Sequence, residues 1–181
     1  MAKAGTDDAR WILPAALGLV ALIFAGSLDN EFVNWDDGIY ILTNPAVTDP
    51  SSVTAIDRLT TPALGYPLPL PVLIYGWLWA VGDGSPTSFH AFNLAAHLIN
   101  AGLLFVLLRR QKMSSRAAAV AVVAFGIHPV VVEPVAWATG TKDLLMAMGL
   151  LFAMLALRRP PLSLVGVAVA YASKPVSALV G

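Results

Sequence analysis

Two adjacent aspartates, Asp36 and Asp37, follow Trp35 in the most polar stretch of the chain. Neighbouring carboxylates suit three kinds of chemistry: a general base acting on a hydroxyl or amine, a ligand of a divalent metal, or a group that stabilises developing positive charge. The structural alternative is a solvated acidic loop in which Asp37-Gly38 forms an ordinary turn. The pair alone does not decide between these interpretations.

A second group of polar residues lies in an apolar segment, at spacings of three, four and three: His90, Asn93, His97 and Asn100. On an α-helix these spacings place all of them within an arc of about 80°. In a membrane such a stripe must face the protein interior. It then supplies hydrogen bonds between helices, a polar wall of a substrate cavity, or a histidine pair for a metal. Because the two histidines are two helical turns apart, the metal interpretation needs ligands from elsewhere.

A third group lies in "HPVVVEPVAWATGTKD", residues 128–143, between two apolar segments, and consists of His128, Glu133, Lys142 and Asp143. Two prolines in this stretch stop a helix and free backbone polar groups, which is tolerable only against protein or water. The stretch is either an ordinary loop or part of a site shared with the aspartate pair.

Lys174, in "YASKP", follows another apolar segment. A cation inside a membrane suggests a functional site, and a phosphate is its natural partner. The alternative is a lysine in a short external turn that extends its ammonium to the membrane surface.

The composition indicates what must position these residues. The chain has 181 residues, is 57% hydrophobic and only 12% charged, and has a mean hydropathy of +0.74. Soluble domains carry about twice that charge, so we expect an integral membrane protein. The absence of cysteine excludes disulfides and thiolate metal sites.

Five apolar segments predict an all-α bundle of about five membrane spans, at residues 11–28, 87–108, 117–127, 141–157 and 162–181. The first also resembles a cleavable signal peptide, which is the alternative there. The third breaks at "HPVVVEPVAW". We expect one transmembrane domain over 1–181, with a first external loop at 29–86.

Within that loop, residues 67–81 predict a helix at the membrane interface, with Tyr75, Trp77 and Trp79 at headgroup level. A re-entrant segment or a short buried helix is the alternative.

The distribution of charge predicts an orientation. With the N-terminus cytoplasmic, eight of the 11 basic residues fall inside and three fall outside or within the membrane, as the positive-inside rule requires. The eight are Lys3, Arg10, Arg109, Arg110, Lys112, Arg116, Arg158 and Arg159. Asp36 and Asp37 then face the periplasm, the exterior or an organelle lumen.

These stretches, in this order, resemble the N-terminal membrane portion of the TPR-associated glycosyltransferases, polytopic GT-C enzymes of the protein O-mannosyltransferase superfamily. The matching segments cover most of residues 31–177: "FVNWDDGIYILTNPAV", "YPLPLPVLIYGWLWAVGDGSPTSFHAFNLAAHLINAGLLFVLLRR", "FGIHPVVVEPVAWATGTKDLL" and "ASKP". The resemblance implies a GT-C-like helical bundle whose first external loop carries the catalytic acid.

The resemblance also implies an activity: transfer of a sugar from a polyprenyl-phosphate carrier to a protein or lipid acceptor. Asp36 and Asp37 would be the catalytic pair, with Asp36 favoured as the base. His128, Glu133, Lys142 and Asp143 would be lumenal site residues, and Lys174 would contact the carrier phosphate. His90, Asn93 and His97 join them as candidate substrate-binding residues because of the polar stripe, not because of the resemblance. The need for a divalent metal stays open. The expected partners are the sugar donor, the acceptor and membrane lipids, and no nucleic acid.

Family members continue through further spans and a soluble TPR tail, whereas this chain stops just after "SKP". We therefore expect the N-terminal part of a larger GT-C module, or a reduced relative. The alternatives to a glycosyltransferase are a non-catalytic membrane subunit, a transporter-like fragment, or an inactive truncated remnant.

Overall fold

The computed structural model describes residues 9–62 and 64–175, and its regular elements are helices. In the described residues the α-helices are α1 Ala9–Phe24, α2 Pro45–Thr48, α3 Ala55–Thr60, α4 Pro69–Val81, α5 Pro86–Arg110, α6 Ser115–Gly126, α7 Val132–Ala136, α8 Thr141–Leu155 and α9 Pro160–Ser173. Short 3-10 turns at Ala25–Asp29, Pro129–Val131 and Ala138–Gly140 extend or join them, and Gly38–Leu42 forms a π-helical turn. The all-α membrane bundle is confirmed.

The predicted number of spans was too high. In the described residues, three helical segments are long and apolar enough to cross a bilayer: Arg10–Asp29, Pro86–Arg110 and Ala138–Leu155. The segment Ser115–Gly126 and Pro129–Ala136 makes a fourth if this pair, bent by 54°, counts as one span. The bend falls at Pro129, the first of the two prolines that the sequence analysis singled out in residues 128–143.

The fifth predicted span is too short in the part that the structure describes. Helix α9 has 14 residues, which gives a length of about 21 Å against a hydrocarbon core of about 30 Å. Residues 176–181 of that predicted span lie outside the described residues.

The directions in which the helices pack define an acidic end and a basic end of the bundle. Helices α5 and α8 are parallel, because the Asn93 side chain bonds to the Ala138 carbonyl and that of Arg110 to the Leu155 carbonyl. Helix α9 returns antiparallel to α8. The acidic end therefore contains the starts of α5 and α8 and the end of α9, and the basic end contains Arg110 and the α8–α9 turn.

Glycines let α8 and α9 pack closely. A Cβ atom added at Gly149 would lie 2.6 Å from the Gly166 carbonyl oxygen, and one added at Gly166 would lie 2.6 Å from the Gly149 carbonyl oxygen. Small residues at such contacts allow helix backbones in membranes to approach each other. This contact sets the position of the C-terminal end of α9 against the start of α8.

The segment that the sequence analysis predicts as the first external loop folds over the acidic end. Asn44 and Thr54 cap α2 and α3 by accepting bonds from the backbone amides of Ala46 and Asp57. Helix α4 has 13 residues, too few to span a bilayer. Tyr75 faces the protein and not the headgroups: it is fully buried against Phe89, and its hydroxyl donates to the Thr139 carbonyl oxygen at 3.0 Å. The depth of α4 in the membrane stays a prediction.

Candidate functional site

The two aspartates have different environments although they are adjacent. Asp37 is fully buried, and its carboxylate oxygens accept backbone N–H bonds from Val33 at 3.0 Å and from Thr139 at 3.1 Å. Thr139 lies two residues before α8. Asp37 therefore connects the segment after α1 to the start of α8. Both its oxygens are occupied by the protein itself.

Asp36 instead forms an ion pair with Lys142 in the first turn of α8. The Lys142 ammonium donates to Asp36 Oδ2 at 2.9 Å, and the two side chains are 7% and 25% exposed respectively. The carboxylate is thus held in place and still accessible from outside.

Two aromatic rings surround the Lys142 ammonium. Its Nζ atom lies 4.9 Å from the ring centroid of Tyr40 and 5.2 Å from that of Trp137, within the range of cation–π contacts. Burial raises the pKa of the Tyr40 phenol, and the nearby Tyr66 and Asp36 raise it further. The Tyr40 phenol is therefore uncharged at physiological pH and lines the site next to Lys142.

A second ion pair lies beside the first. Lys174, just after α9, donates to Asp143 Oδ1 at 2.5 Å, and their side chains are 27% and 28% exposed. Lys142 and Asp143 are consecutive residues, so the start of α8 brings both pairs to one end of the bundle. The segments that supply Asp36 and Lys174 are far apart in sequence and meet here.

An exposed aromatic surface adjoins the ion pairs. Trp35 is 77% exposed, and its ring centroid lies 5.9 Å from that of Trp137. One tryptophan thus presents its ring to the outside while the other contacts the Lys142 ammonium. Such a surface can bind the apolar face of a ligand while the polar groups of that ligand contact the neighbouring ion pairs.

Three residues of the polar stripe on α5 join helices by hydrogen bonds. The Asn93 amide donates to the Trp137 carbonyl at 2.7 Å and accepts from the Thr141 hydroxyl at 2.6 Å. His97 Nε2 lies 2.9 Å from the Gly126 carbonyl oxygen, and the Asn100 amide donates to the Leu144 carbonyl at 2.9 Å. These contacts bind α5 to the bend after α6 and to α8.

His90, the first residue of the stripe, differs from the others. It is buried, and neither ring nitrogen has a partner at hydrogen-bond geometry among the described residues. No group of three or more His, Asp or Glu residues that could hold a metal occurs in residues 9–62 and 64–175. The histidines therefore do not form a metal centre from the described part of the chain alone.

His128 and Glu133 lie at the same end of the bundle but outside the ion pairs. His128 is exposed, and its Nδ1 atom accepts from the Val130 amide at 3.2 Å, which caps the short turn after α6. Glu133 is exposed, and its carboxylate forms no ion pair with the residues that the structure describes.

The sequence analysis did not predict the aromatic surface formed by Trp35 and Trp137. Trp35 and Trp137 stand inside the quoted motifs, and tryptophans beside charged residues were the signal that could have found them. The contact of Asp37 with the Thr139 backbone had no such signal, because a backbone amide is present at almost every residue.

Comparison with known proteins finds a similar protein in an insect. The chain is 28% identical over 155 residues to the Protein O-mannosyl-transferase Tmtc1 of Drosophila melanogaster. The match covers 81% of this chain and 18% of that protein, so the chain spans less than a fifth of the relative's length. No family model matches the chain, and no solved structure matches it.

Proposed function

We propose that this chain is a catalytic part of a membrane glycosyltransferase, which moves a sugar from a polyprenyl-phosphate carrier to a protein or lipid acceptor at the membrane surface. The observation that carries the proposal is the pairing of Asp36 with Lys142 next to Lys174 with Asp143 at one end of an apolar bundle. Similarity to a protein named as an O-mannosyl-transferase supports this reaction class.

Asp36 is the proposed general base. Its carboxylate is partly exposed beside the open ring of Trp35, where an acceptor hydroxyl has access. In the reaction the acceptor oxygen forms a bond to the anomeric carbon and its proton passes to Asp36. The bond from that carbon to the carrier phosphate oxygen breaks, and its electron pair leaves with the phosphate.

Lys174 is the proposed contact for that phosphate. A lysine ammonium can exchange a carboxylate partner for a phosphate. Asp143 positions the Lys174 ammonium at the edge of the site. Inversion at the sugar carbon requires the acceptor and the phosphate on opposite sides, a role that Asp36 and Lys174 fill when the sugar lies between them.

Asp37 and Lys142 are proposed as positioning residues. Asp37 accepts two backbone amides and keeps residues 33–37 against the start of α8. Lys142 fixes the Asp36 carboxylate and is itself held between Tyr40 and Trp137. Neither residue needs to touch the substrate for these roles.

A transport pathway along α5 is less compatible with the structure. Asn93, His97 and Asn100 bond to backbone carbonyls of neighbouring helices. A permeating solute would have to break those bonds at each step.

The test is transfer of radiolabelled mannose from polyprenyl-phosphate mannose to protein or lipid in membranes that contain the full chain. We expect Asp36→Asn to lower the rate by at least about 100-fold, the usual contribution of a general base. Lys174→Gln should raise KM for the donor more than it lowers kcat.

Asp49→Asn is the matched control, because Asp49 is an exposed carboxylate of the same loop and bonds only to neighbouring loop residues. It should retain full activity. Full activity of Asp36→Asn, or absence of sugar transfer by the wild-type chain, contradicts the proposal.

A further inference from the structure

The basic end of the bundle contains a cavity that the proposed reaction does not use. Its volume is about 760 Å³, within the usual range for ligand sites, and it lies between the C-terminal ends of α5 and α8 and the start of α9. The proposed catalytic residues lie at the opposite end of α8, which with 15 residues is about 22 Å long. The two sites are therefore separate.

The cavity has apolar walls and a basic rim. Leu103, Leu107 and Phe152 are among the wall residues, and three arginines line it: Arg110, Arg158 and Arg159. Arg110 donates one bond to the Leu155 carbonyl at 2.5 Å and is otherwise exposed. A guanidinium has five N–H donors, so most of its donors remain available.

Among the described residues, no carboxylate pairs with the arginines of the rim. Arg158 and Arg159 are exposed and form no ion pair in the part of the chain that the structure describes. The segments 84–132 and 144–181, which supply the whole lining, contain no aspartate or glutamate. The cavity therefore attracts an anion from outside the described chain.

We propose that this cavity binds one anionic phospholipid, with its phosphate on Arg158 and Arg159 and its upper acyl chains against the leucine walls. The apolar walls favour a lipid over a free phosphate, because a water-soluble anion would leave them hydrated. Basic pockets between membrane helices are typical sites for acidic lipid headgroups. The lipid would link α5, α8 and α9 at the end remote from the proposed reaction.

The test is native mass spectrometry of the purified full chain, with phosphatidylglycerol and phosphatidylcholine of identical acyl chains. We expect one phosphatidylglycerol to stay bound and to be preferred over phosphatidylcholine. Each of the substitutions Arg158→Gln and Arg159→Gln should weaken its binding by about fivefold, and the two together by more. Both residues are exposed, so the helical circular dichroism should not change.

Arg116→Gln is the matched control, because Arg116 is an exposed arginine at the same end that does not line the cavity. It should leave lipid binding unchanged. An equal loss in that variant would indicate diffuse surface attraction, and equal binding of both lipids would exclude recognition of charge. Displacement by glycerophosphate at the same concentration would indicate an anion site without a lipid. Each of these three results overturns the proposal, and none depends on sugar transfer.

Discussion

Asp36 and Asp37 are adjacent in the sequence, but their carboxylates have different partners. Asp37 accepts two backbone amides in a fully buried position, whereas Asp36 pairs with one lysine at the edge of the bundle. A buried carboxylate with both oxygens occupied has no access to an acceptor, and a partly exposed one does. This difference is the reason for assigning the proton transfer to Asp36 and a positioning role to Asp37.

At this scale we predict that Asp37→Asn destabilises the protein by about 3 kcal/mol. The asparagine NH₂ group would face either the Val33 or the Thr139 amide, and two donors would oppose each other where a charged bond now exists. Thermal unfolding in detergent would measure the effect. Asp36→Asn should lose less stability, because its position is partly exposed and the asparagine oxygen can still accept from Lys142. An equal loss for both variants would contradict the assignment.

Among the elements, α8 organises the acidic end. Its first turn supplies Lys142 and Asp143, the partners of Asp36 and Lys174, and Asn93 of α5 accepts a bond from its Thr141 hydroxyl. The position of Lys174 depends on α9, which packs against α8 through Gly149 and Gly166. The contact between these two helices therefore determines one of the two ion pairs.

We predict that Gly149→Leu destabilises the protein by about 1–3 kcal/mol, because the new side chain would overlap the backbone of α9. It should also weaken donor binding, since Lys174 would move away from Asp143. Thermal unfolding and KM for the donor would test both effects.

Gly102→Leu on α5 is the control, because a Cβ added there meets nothing within 4 Å. This variant should be as stable as the wild type or more so, since leucine favours helix over glycine. Equal destabilisation of the two variants would show that close packing of α8 and α9 is not the cause.

Across the whole molecule the charges are separated between the two ends. Helix α1 runs parallel to α6, because Ala16 packs with Val122, and Val20 meets Gly126. Arg10 therefore lies at the same end as Arg110, Arg116 and the α8–α9 turn. The basic residues that the sequence analysis assigned to the cytoplasm, as far as the structure describes them, thus share one end of the bundle, which supports the proposed orientation.

The orientation can be tested directly, because the chain has no cysteine. Single substitutions Ser51→Cys in the external loop and Gln111→Cys at the basic end introduce one thiol each at exposed positions. In sealed vesicles with the outer face exposed, an impermeant maleimide should label only Ser51→Cys, and Gln111→Cys should react only after permeabilisation. The reverse labelling pattern would contradict a cytoplasmic N-terminus.

Several features followed from the sequence by itself. Low charge and long apolar segments indicated a helical membrane bundle, Pro129 marked the bend after α6, and the arginines marked one end. These are local properties, because hydropathy, helix breaking and charge depend on residues close together in the chain. The roles assigned to the site residues stay predictions.

Only the tertiary structure decided which side chains meet. It paired Asp36 with Lys142 and Lys174 with Asp143, buried Asp37 on the Thr139 amide, and left Glu133 outside these pairs. Three residues of the polar stripe on α5 form interhelical bonds because backbone carbonyls near the bend and at the start of α8 lie opposite them. Such contacts depend on the register and distance between helices remote in sequence, and residue types alone do not specify either.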